Sequence, residues 1–412
     1  MRTGLKSGGV SNGPSRARLS VLAAGALFWL PSIAQAAGWQ FEPIEYIDLD
    51  GQFSSMQIDK LGNAHVAYVI DDHNVYPLQY AFRDHALKKW YVMNVDKGAS
   101  FCALTLDSKG RPHISYADHG TAIGSKLRFA FWNGNSWTKQ VVPVNSEVVG
   151  YYTSIALDSE DHPSITYYEY RGAPGTEMKN RLRNARWSGQ FWAVQTVDGE
   201  NGSGKFNAMA SDPKGQVQIA YGNVVAAPSL RYAFWDGKAW KVDILETVQE
   251  TGGYVGNSVA IAVDRDGDPH ISYTDTTNRY IKYAVRKNKK WQFERVDAIV
   301  AAAYPDRNSI VIDDSGRPIL AYYDRGLGIL KIAVREGRQW FTTVVDRNAA
   351  GFTSSMQIVG DELWITYTDE GKHGLKFGRI DLKELSGTSV TNPASNTNGP
   401  EIPKTAGERG RF

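Results

Sequence analysis

The stretch LDSKGRPHISYAD, residues 106–118, recurs in outline as VDRDGDPHISYTD, residues 263–275. In both, Asp-x-x-Gly precedes an alternating run that ends in tyrosine, and an aspartate stands two residues after that tyrosine. Asp-x-x-Gly favours a tight hairpin, because the carboxylate accepts turn amides and glycine tolerates a positive φ. Alternation with a period of two is typical of a strand. The stretch therefore predicts a β-hairpin that is repeated along the chain.

The hairpin pattern recurs throughout the chain. Six aspartates in this register stand 48 to 54 residues apart, and a seventh, degenerate copy occupies residues 358–367. Each unit continues with a third alternating run and a fourth run that begins at tryptophan. Four short antiparallel strands in each repeat are the signature of a propeller blade. The sequence predicts an all-β, seven-bladed β-propeller of four-stranded antiparallel blades. The aspartates are Asp59, Asp107, Asp158, Asp212, Asp264 and Asp313.

The two ends of the repeat array indicate how the ring closes. The last unit lacks its tryptophan strand, whereas Trp39 precedes Trp90 by one repeat length. We therefore expect the mature N-terminal strand to complete the last blade, with residues 46–49 pairing against residues 375–378. Such closure removes free sheet edges. It needs no disulfide, since Cys102 is the single cysteine.

The segments outside the repeats have distinct compositions. Basic residues, an apolar run over residues 19–33 and the sequence AQAA predict a signal peptide at 1–36. The chain is then exported, to the periplasm or the exterior of a bacterium, with no integral membrane segment after cleavage. The propeller is expected over 37–384. Residues 385–412 are rich in polar and helix-breaking residues, which predicts a disordered tail.

Charge and composition narrow the choice of partners. The formal net charge is +2, which provides no basic surface for nucleic acid. We expect a monomer whose partner is a glycan or an extracellular or envelope protein. No cofactor and no metal site are predicted. Residues 264–268, DRDGD, are similar to a calcium loop but lack its later glutamate, so calcium stays an open alternative.

Residues that recur with the blade are interpreted as scaffold. His65, His113 and His270 occupy equivalent strand positions and are expected to pack or to bond locally. Polar residues two positions after the second-strand tyrosines, with Ile70 as the exception, are expected to cap loop amides. A recurring basic position on the third strand is also interpreted as structural. These sets include Asp118, Glu169, Asn223, Asp275, Asp324 and Asp369, and Arg128, Arg183, Arg231, Lys282, Lys331 and Lys376.

Candidate ligand-binding residues are those that break the repeat in the loops. Loops from strand two to strand three, and from blade to blade, emerge on one face of a propeller, where scaffold strands position variable loops. Aromatic rings stack on the C–H faces of sugars, while Arg and Asp bind hydroxyls. No catalytic residue is assigned. The predicted binding residues are Asp72, His73, Tyr76, His119, Tyr168, Tyr170, Arg171, Arg279, Arg307 and Arg325.

The repeat from LDSKGRPHISYAD to LRFAFWNGNSW resembles those of bacterial secreted seven-bladed propellers of the fucose-lectin-like and BNR sialidase-like superfamily. The resemblance covers residues 39–380. DDHNVYPLQYAF, residues 71–82, is similar to the His-bearing loop of propeller polysaccharide lyases. That local resemblance implies a base or charge-neutralising role for His73.

Three functions remain open at this point. The first is a secreted binding module that recognises a glycan or a protein on the loop face. The second is a polysaccharide-degrading enzyme, a lyase or glycoside hydrolase, acting in the same cleft. The third is a structural or assembly factor of the envelope. Since the sequence contains no nucleophile motif and no phosphate loop, we rank binding above catalysis.

Overall fold

The computed structural model describes residues 38–46, 50–71, 76–118, 125–144, 148–170, 180–225, 228–301, 307–347, 353–369 and 374–385. The predicted signal peptide and all but the first residue of the predicted tail lie outside these ranges. The described chain forms seven four-stranded antiparallel sheets arranged as a seven-bladed β-propeller, which confirms the predicted fold class. No described helix is long and apolar enough to cross a membrane.

Each blade runs from an inner to an outer strand. Blade 1 contains β2(Asp50–Ile58), β3(Ala64–Asp71), β4(Leu78–Asp84) and β5(Lys89–Asp96). Blade 2 contains β6(Ser100–Leu106), β7(Pro112–Ala117), β8(Leu127–Trp132) and β9(Trp137–Val141). Blade 3 contains β10(Val148–Leu157), β11(Pro163–Tyr170), β12(Arg181–Trp187) and β13(Trp192–Asp198). Blade 4 contains β14(Ser203–Ser211), β15(Val217–Asn223), β16(Ser229–Trp235) and β17(Trp240–Thr247).

The remaining blades follow the same order. A short helix, α1(Val248–Thr251), links blades 4 and 5. Blade 5 contains β18(Asn257–Val263), β19(Pro269–Asp275), β20(Tyr280–Lys287) and β21(Lys290–Ala298). Blade 6 contains β22(Ser309–Ile312), β23(Pro318–Asp324), β24(Ile329–Glu336) and β25(Gln339–Asp346). Blade 7 contains β26(Ser354–Val359), β27(Glu362–Asp369), β28(Gly374–Asp381) and β1(Gln40–Tyr46), and α2(Leu382–Leu385) follows it.

The N-terminal strand closes the ring, as expected. β1 pairs antiparallel with β28, from Gln40 opposite Arg379 to Tyr46 opposite Gly374. The pairing therefore begins earlier in the chain than the predicted 46–49, because the strand starts directly after Trp39. Glu42 on β1 accepts hydrogen bonds from the Nε atom of Arg83, at 2.5 Å, and from the indole of Trp90, at 3.0 Å. These bonds tie the outer strand of blade 7 to blade 1.

The seams between blades contain a repeated polar contact. At five seams, the second-strand tyrosine donates to an acid at the outer-strand end of the preceding blade, at 2.6 to 2.9 Å. At four of these seams a Lys or Arg on the third strand bonds the same acid. The structural interpretation of the basic positions is thereby confirmed for Arg231, Lys282, Lys331 and Lys376. The tyrosine–acid pairs are Tyr116–Asp96, Tyr221–Asp198, Tyr273–Glu246, Tyr322–Asp297 and Tyr367–Asp346.

The Asp turns join the first two strands of blades 1 to 6 on one face, which we call the hairpin face. Asp264 illustrates the turn: its Oδ1 accepts the amides of Asp266 and Asp268, and its Oδ2 lies 3.1 Å from Nε2 of His270. The stretch that is similar to a calcium loop thus uses this carboxylate in its own hairpin. Among the described residues, no group of three His, Cys, Asp or Glu side chains is arranged to hold a metal.

The recurrent histidines belong to this scaffold, as predicted. His65 and His270 each lie between the hairpin aspartate and a tyrosine hydroxyl, at 2.6 Å from Tyr80 and 2.5 Å from Tyr283. His113 packs against Phe129 and Phe131. The amide-capping prediction is confirmed at Asn223, Asp275 and Asp324, which accept amides of the loop face.

Candidate binding site at the loop-face end of the axis

The inner strands begin on the face opposite the hairpins, here called the loop face. Three positions before Met56, Leu104, Ile155 and Met209 of these strands, blades 1 to 4 carry aromatic residues. All four have a positive φ of 52° or 53°, in stretches where the pairing with the second strand shifts register. A bulge of this kind re-aims a side chain at the end of a strand. The four residues, named the aromatic arc, are Phe53, Phe101, Tyr152 and Phe206.

The aromatic arc is continuous around one side of the propeller axis. Its ring centroids lie 4.5 Å apart from Phe53 to Phe101, 4.7 Å from Phe101 to Tyr152 and 5.0 Å from Tyr152 to Phe206. Phe53, Tyr152 and Phe206 are buried, so most of the arc is a packing layer. Phe101 is only half-buried and connects this layer to the surface.

Three half-buried rings form an aromatic platform on blades 2 and 3: Phe101, Tyr151 and Tyr170. Phe101 and Tyr151 meet edge to face, with centroids 5.4 Å apart. All three pack against the buried cluster that contains Tyr152 and Tyr168. Because each ring packs against the buried cluster, its position is fixed, and because each is only half-buried, part of its surface stays exposed. Stacking on a ligand requires both properties.

Blades 5 to 7 have a different set at the position of the aromatic arc: Ser258, Arg307 and Thr353. The Nη2 atom of Arg307 donates to the backbone carbonyl of Thr153, at 3.5 Å. Since Arg307 belongs to blade 6 and Thr153 to blade 3, three blades away, the side chain crosses the axis. It ends beside the residue that follows Tyr152 of the arc. The guanidinium therefore lies at blade 3, which also carries the platform residues Tyr151 and Tyr170.

The environment of Arg307 contains little compensating charge. Arg307 forms no ion pair with any described residue, and the surrounding protein lowers the pKa of its guanidinium by desolvation. Burial raises the pKa of the neighbouring Cys102 thiol to about 12, so the thiol is neutral at physiological pH. The thiol donates to the carbonyl of Phe53 at 2.8 Å.

The structure places the predicted binding residues in three settings. Tyr168 and Tyr170 lie at the loop-face end of β11, and Tyr76 and Arg307 lie just before β4 and β22 on the same face. Tyr168 is only 4% exposed and packs against Tyr152. Arg279 and Arg325 are exposed in the turns between the second and third strands of blades 5 and 6. The other four lie outside the described residues: Asp72, His73, His119 and Arg171.

Sequence reasoning did not single out the aromatic arc or Tyr151. A signal for them was present, because QFSSM, SFCAL, YYTSI and KFNAM align with an aromatic residue in the second column. Because an aromatic residue recurs there in successive blades, this column could not be distinguished from core positions by sequence alone. The change to Ser258, Arg307 and Thr353 in the later blades marks where the column departs from simple packing.

The other end of the axis has a different character. A cavity of about 670 Å³ is lined by the hairpin-face halves of the inner strands, with Met209, Ile155 and Gln57 among its walls. The carboxylates at this end serve the scaffold: Asp158 bonds Arg186, and Asp161 accepts both the amide and the hydroxyl of Ser108. The cavity lining contains neither Arg307 nor the platform rings.

Comparisons with known proteins identify the fold. No family model matches the chain, and no curated protein matches it. Among solved structures, the polysaccharide lyase Uly1 aligns with a TM-score of 0.53 and 11% identity, over 80% of this chain and 89% of that chain. An ulvan lyase of family PL25, bound to -[GlcA(1-4)Rha3S]-, gives 0.51 and 12%, over 87% and 99%. The NanB sialidase from Streptococcus pneumoniae gives 0.47 and 12%, over 85% and 70%. Identities this low support the propeller fold alone.

Proposed function

We propose that this protein is a binding module that recognises a glycan at the loop-face end of its axis. One observation carries the proposal: three half-buried aromatic rings on blades 2 and 3 lie at the end of the axis that the Arg307 guanidinium reaches from blade 6. Stacking surfaces beside a fixed hydrogen-bond donor suit a sugar ring, which has apolar C–H faces and polar edges.

The supporting arguments come from the scaffold and from the comparisons. The platform is held by a buried aromatic cluster, so its rings are positioned before a ligand arrives and little side-chain entropy is lost on binding. Two of the aligned propellers are polysaccharide lyases, which favours a glycan over a protein as the ligand. We further propose that the protein is exported and acts as a monomer without a cofactor.

Catalysis by the same face is the second candidate, because two of the aligned structures are polysaccharide lyases. A lyase needs a base near the α-proton of a uronate and a group that neutralises its carboxylate. Tyr116 has a basic residue beside it, as such a base would, but its hydroxyl donates a hydrogen bond to Asp96. Burial raises the pKa of this hydroxyl, so it stays protonated and is not suited to act as a base. Incubation with polyuronates, followed by ultraviolet absorbance of unsaturated products, distinguishes a lyase from a binding module.

Replacing Tyr151 or Tyr170 by alanine tests the binding site. A lost aromatic contact of about 1–2 kcal/mol predicts a loss of glycan affinity of about tenfold for each variant. Affinity electrophoresis against a polysaccharide panel, followed by calorimetry on the best ligand, provides the measurement. Circular dichroism establishes that the variants are folded.

The matched control is Tyr91→Ala, because Tyr91 is 42% exposed on the outer strand of blade 1, away from the loop-face end of the axis. This variant should bind as the wild type does. Unchanged affinity in both platform variants, with a folded protein, would place the ligand elsewhere and contradict the proposal.

A further inference from the structure

The donors of Arg307 are largely unused. A guanidinium has five N–H donors, and the described contacts of Arg307 consist of one hydrogen bond of 3.5 Å to a neutral carbonyl. Two other guanidiniums of the described residues show how carboxylates usually satisfy such a group. Arg231, which is 2% exposed, bonds Asp198 and Glu200, and Arg335 bonds both carboxylate oxygens of Glu294. Unlike these two residues, Arg307 forms no ion pair with any described residue.

Hydroxyl groups without partners lie next to Arg307 in the inner ring. Thr353 pairs with Arg307 in a parallel bridge between blades 6 and 7. The Oγ1 atom of Thr353 is buried without a hydrogen-bond partner among the described residues, and the same holds for Oγ of Ser354. Buried hydroxyls are normally satisfied. These hydroxyls lie beside the backbone of Arg307, whereas its guanidinium reaches Thr153 of blade 3, so the guanidinium is considered by itself below.

The electrostatics around the Arg307 guanidinium favour the binding of an anion. The described groups that act on the guanidinium are Cys102 and Tyr152, and no described carboxylate is among them. An enclosed positive charge without a counter-charge is unfavourable. A carboxylate or sulfate oxygen supplies both the missing charge and the acceptors, and Arg binds such groups through two parallel hydrogen bonds.

We propose that Arg307 binds an anionic group of the ligand on the propeller axis, so that the glycan recognised is one whose sugars carry carboxylates or sulfate esters. This inference rests on the proposed function, because it specifies the ligand of the same site. The platform rings contact the sugar faces, and the guanidinium contacts the charged substituent.

Three chemically matched polymers test the inference on the wild-type protein. They are a polyuronate, the same polymer with its carboxylates reduced to alcohols, and a polysaccharide whose only charged groups are sulfate esters. We expect binding to the polyuronate or to the sulfated polymer, with at least tenfold weaker binding to the reduced polymer. The preferred anionic polymer identifies which of the two groups the site accepts. A reduced polymer that binds as tightly as both anionic polymers overturns the inference while the proposed function stands. Absence of binding to any polysaccharide overturns both.

Variants then assign the effect to Arg307. Arg307→Met should lose at least tenfold in affinity for the anionic polymer and less than twofold for the reduced one, whereas Arg307→Lys should retain part of the preference. Arg265→Met is the control, since Arg265 is exposed on the hairpin face and pairs there with Asp314. An Arg307→Met variant that keeps the full preference for anions contradicts the assignment. If that variant does not fold, the wild-type comparison of the two anionic polymers with the reduced polymer still decides the inference.

Discussion

Phe129 in blade 2 stands where blades 1 and 5 have Tyr80 and Tyr283, whose hydroxyls bond the scaffold histidines. The Nδ1 atom of His113 is therefore buried without a hydrogen bond, while its Nε2 atom lies 3.5 Å from Oδ2 of Asp107. Phe129→Tyr restores the missing partner, and we expect it to raise the free energy of unfolding by about 1 kcal/mol. Tyr283→Phe is the reverse change and should lower it by a similar amount. Urea unfolding measures both, and a destabilised Phe129→Tyr protein would show that the extra oxygen does not fit.

The same histidines give the protein a specific pH dependence. Burial lowers the pKa of His65, His113 and His270 below the ordinary value of 6.5. The unfolded chain then binds protons that the folded chain does not, so the free energy of unfolding should fall as the pH decreases below about 6.5. The hairpin aspartates, whose pKa values are lowered from 3.8, add their loss only below that value. Urea titrations between about pH 7.5 and 5 test this order.

His270→Gln is the matched variant for this pH effect. Blade 4 already has glutamine in that position, where the Oε1 atom of Gln218 accepts the hydroxyl of Tyr232 at 2.8 Å. The substitution keeps an acceptor for Tyr283 and removes one titrating group. We therefore expect a smaller loss of stability between about pH 7 and 5 than in the wild type. An unchanged slope would mean that His270 does not contribute.

At the scale of elements, the seam between blades 5 and 6 depends on one enclosed cation. Lys331 lies 3.0 Å from Asp297 and 3.5 Å from Asp324, and all three side chains are at most 3% exposed. Lys331→Met leaves two buried carboxylates without their cation, which should cost about 3–5 kcal/mol of unfolding free energy. Arg265→Met breaks an ion pair exposed to solvent and should cost at most about 1 kcal/mol. Comparable losses in the two variants would contradict this account of the seams.

Whole-molecule stability depends on ring closure. β1 covers β28, and Trp39 and Phe41 pack against the cluster that contains Leu385 and Tyr367. Deletion of residues 38–46 exposes the edge of β28 and the apolar surface beneath it, so we expect aggregation and a non-cooperative thermal transition. Light scattering and calorimetry measure these changes. A monomeric deletion variant with a sharp transition would show that the ring does not need this strand.

The sequence was sufficient to predict the blades but only part of the site. Alternating side chains and the Asp turns are local signals that repeat seven times, so strand positions and closure followed from them. Arg307 was selected because its loop breaks the repeat, yet its contact with Thr153 depends on a path across the axis that no sequence window contains. The platform residue Tyr151 was missed, since a half-buried ring and a core ring give the same pattern in one sequence.

The pairing of β1 with β28 also determines how the propeller is presented to its surroundings. β1 enters at Gln40, opposite Arg379, and β28 leaves at Asp381, so both ends of the propeller lie at the hairpin face of blade 7. A linker, anchor or fused domain joined at either end is therefore attached on the side away from Arg307 and the platform. An immobilised protein, coupled through either end, points its aromatic face outward to the medium. A tag joined directly before residue 38 or after residue 385 is accordingly expected to leave the site open in surface-based binding measurements.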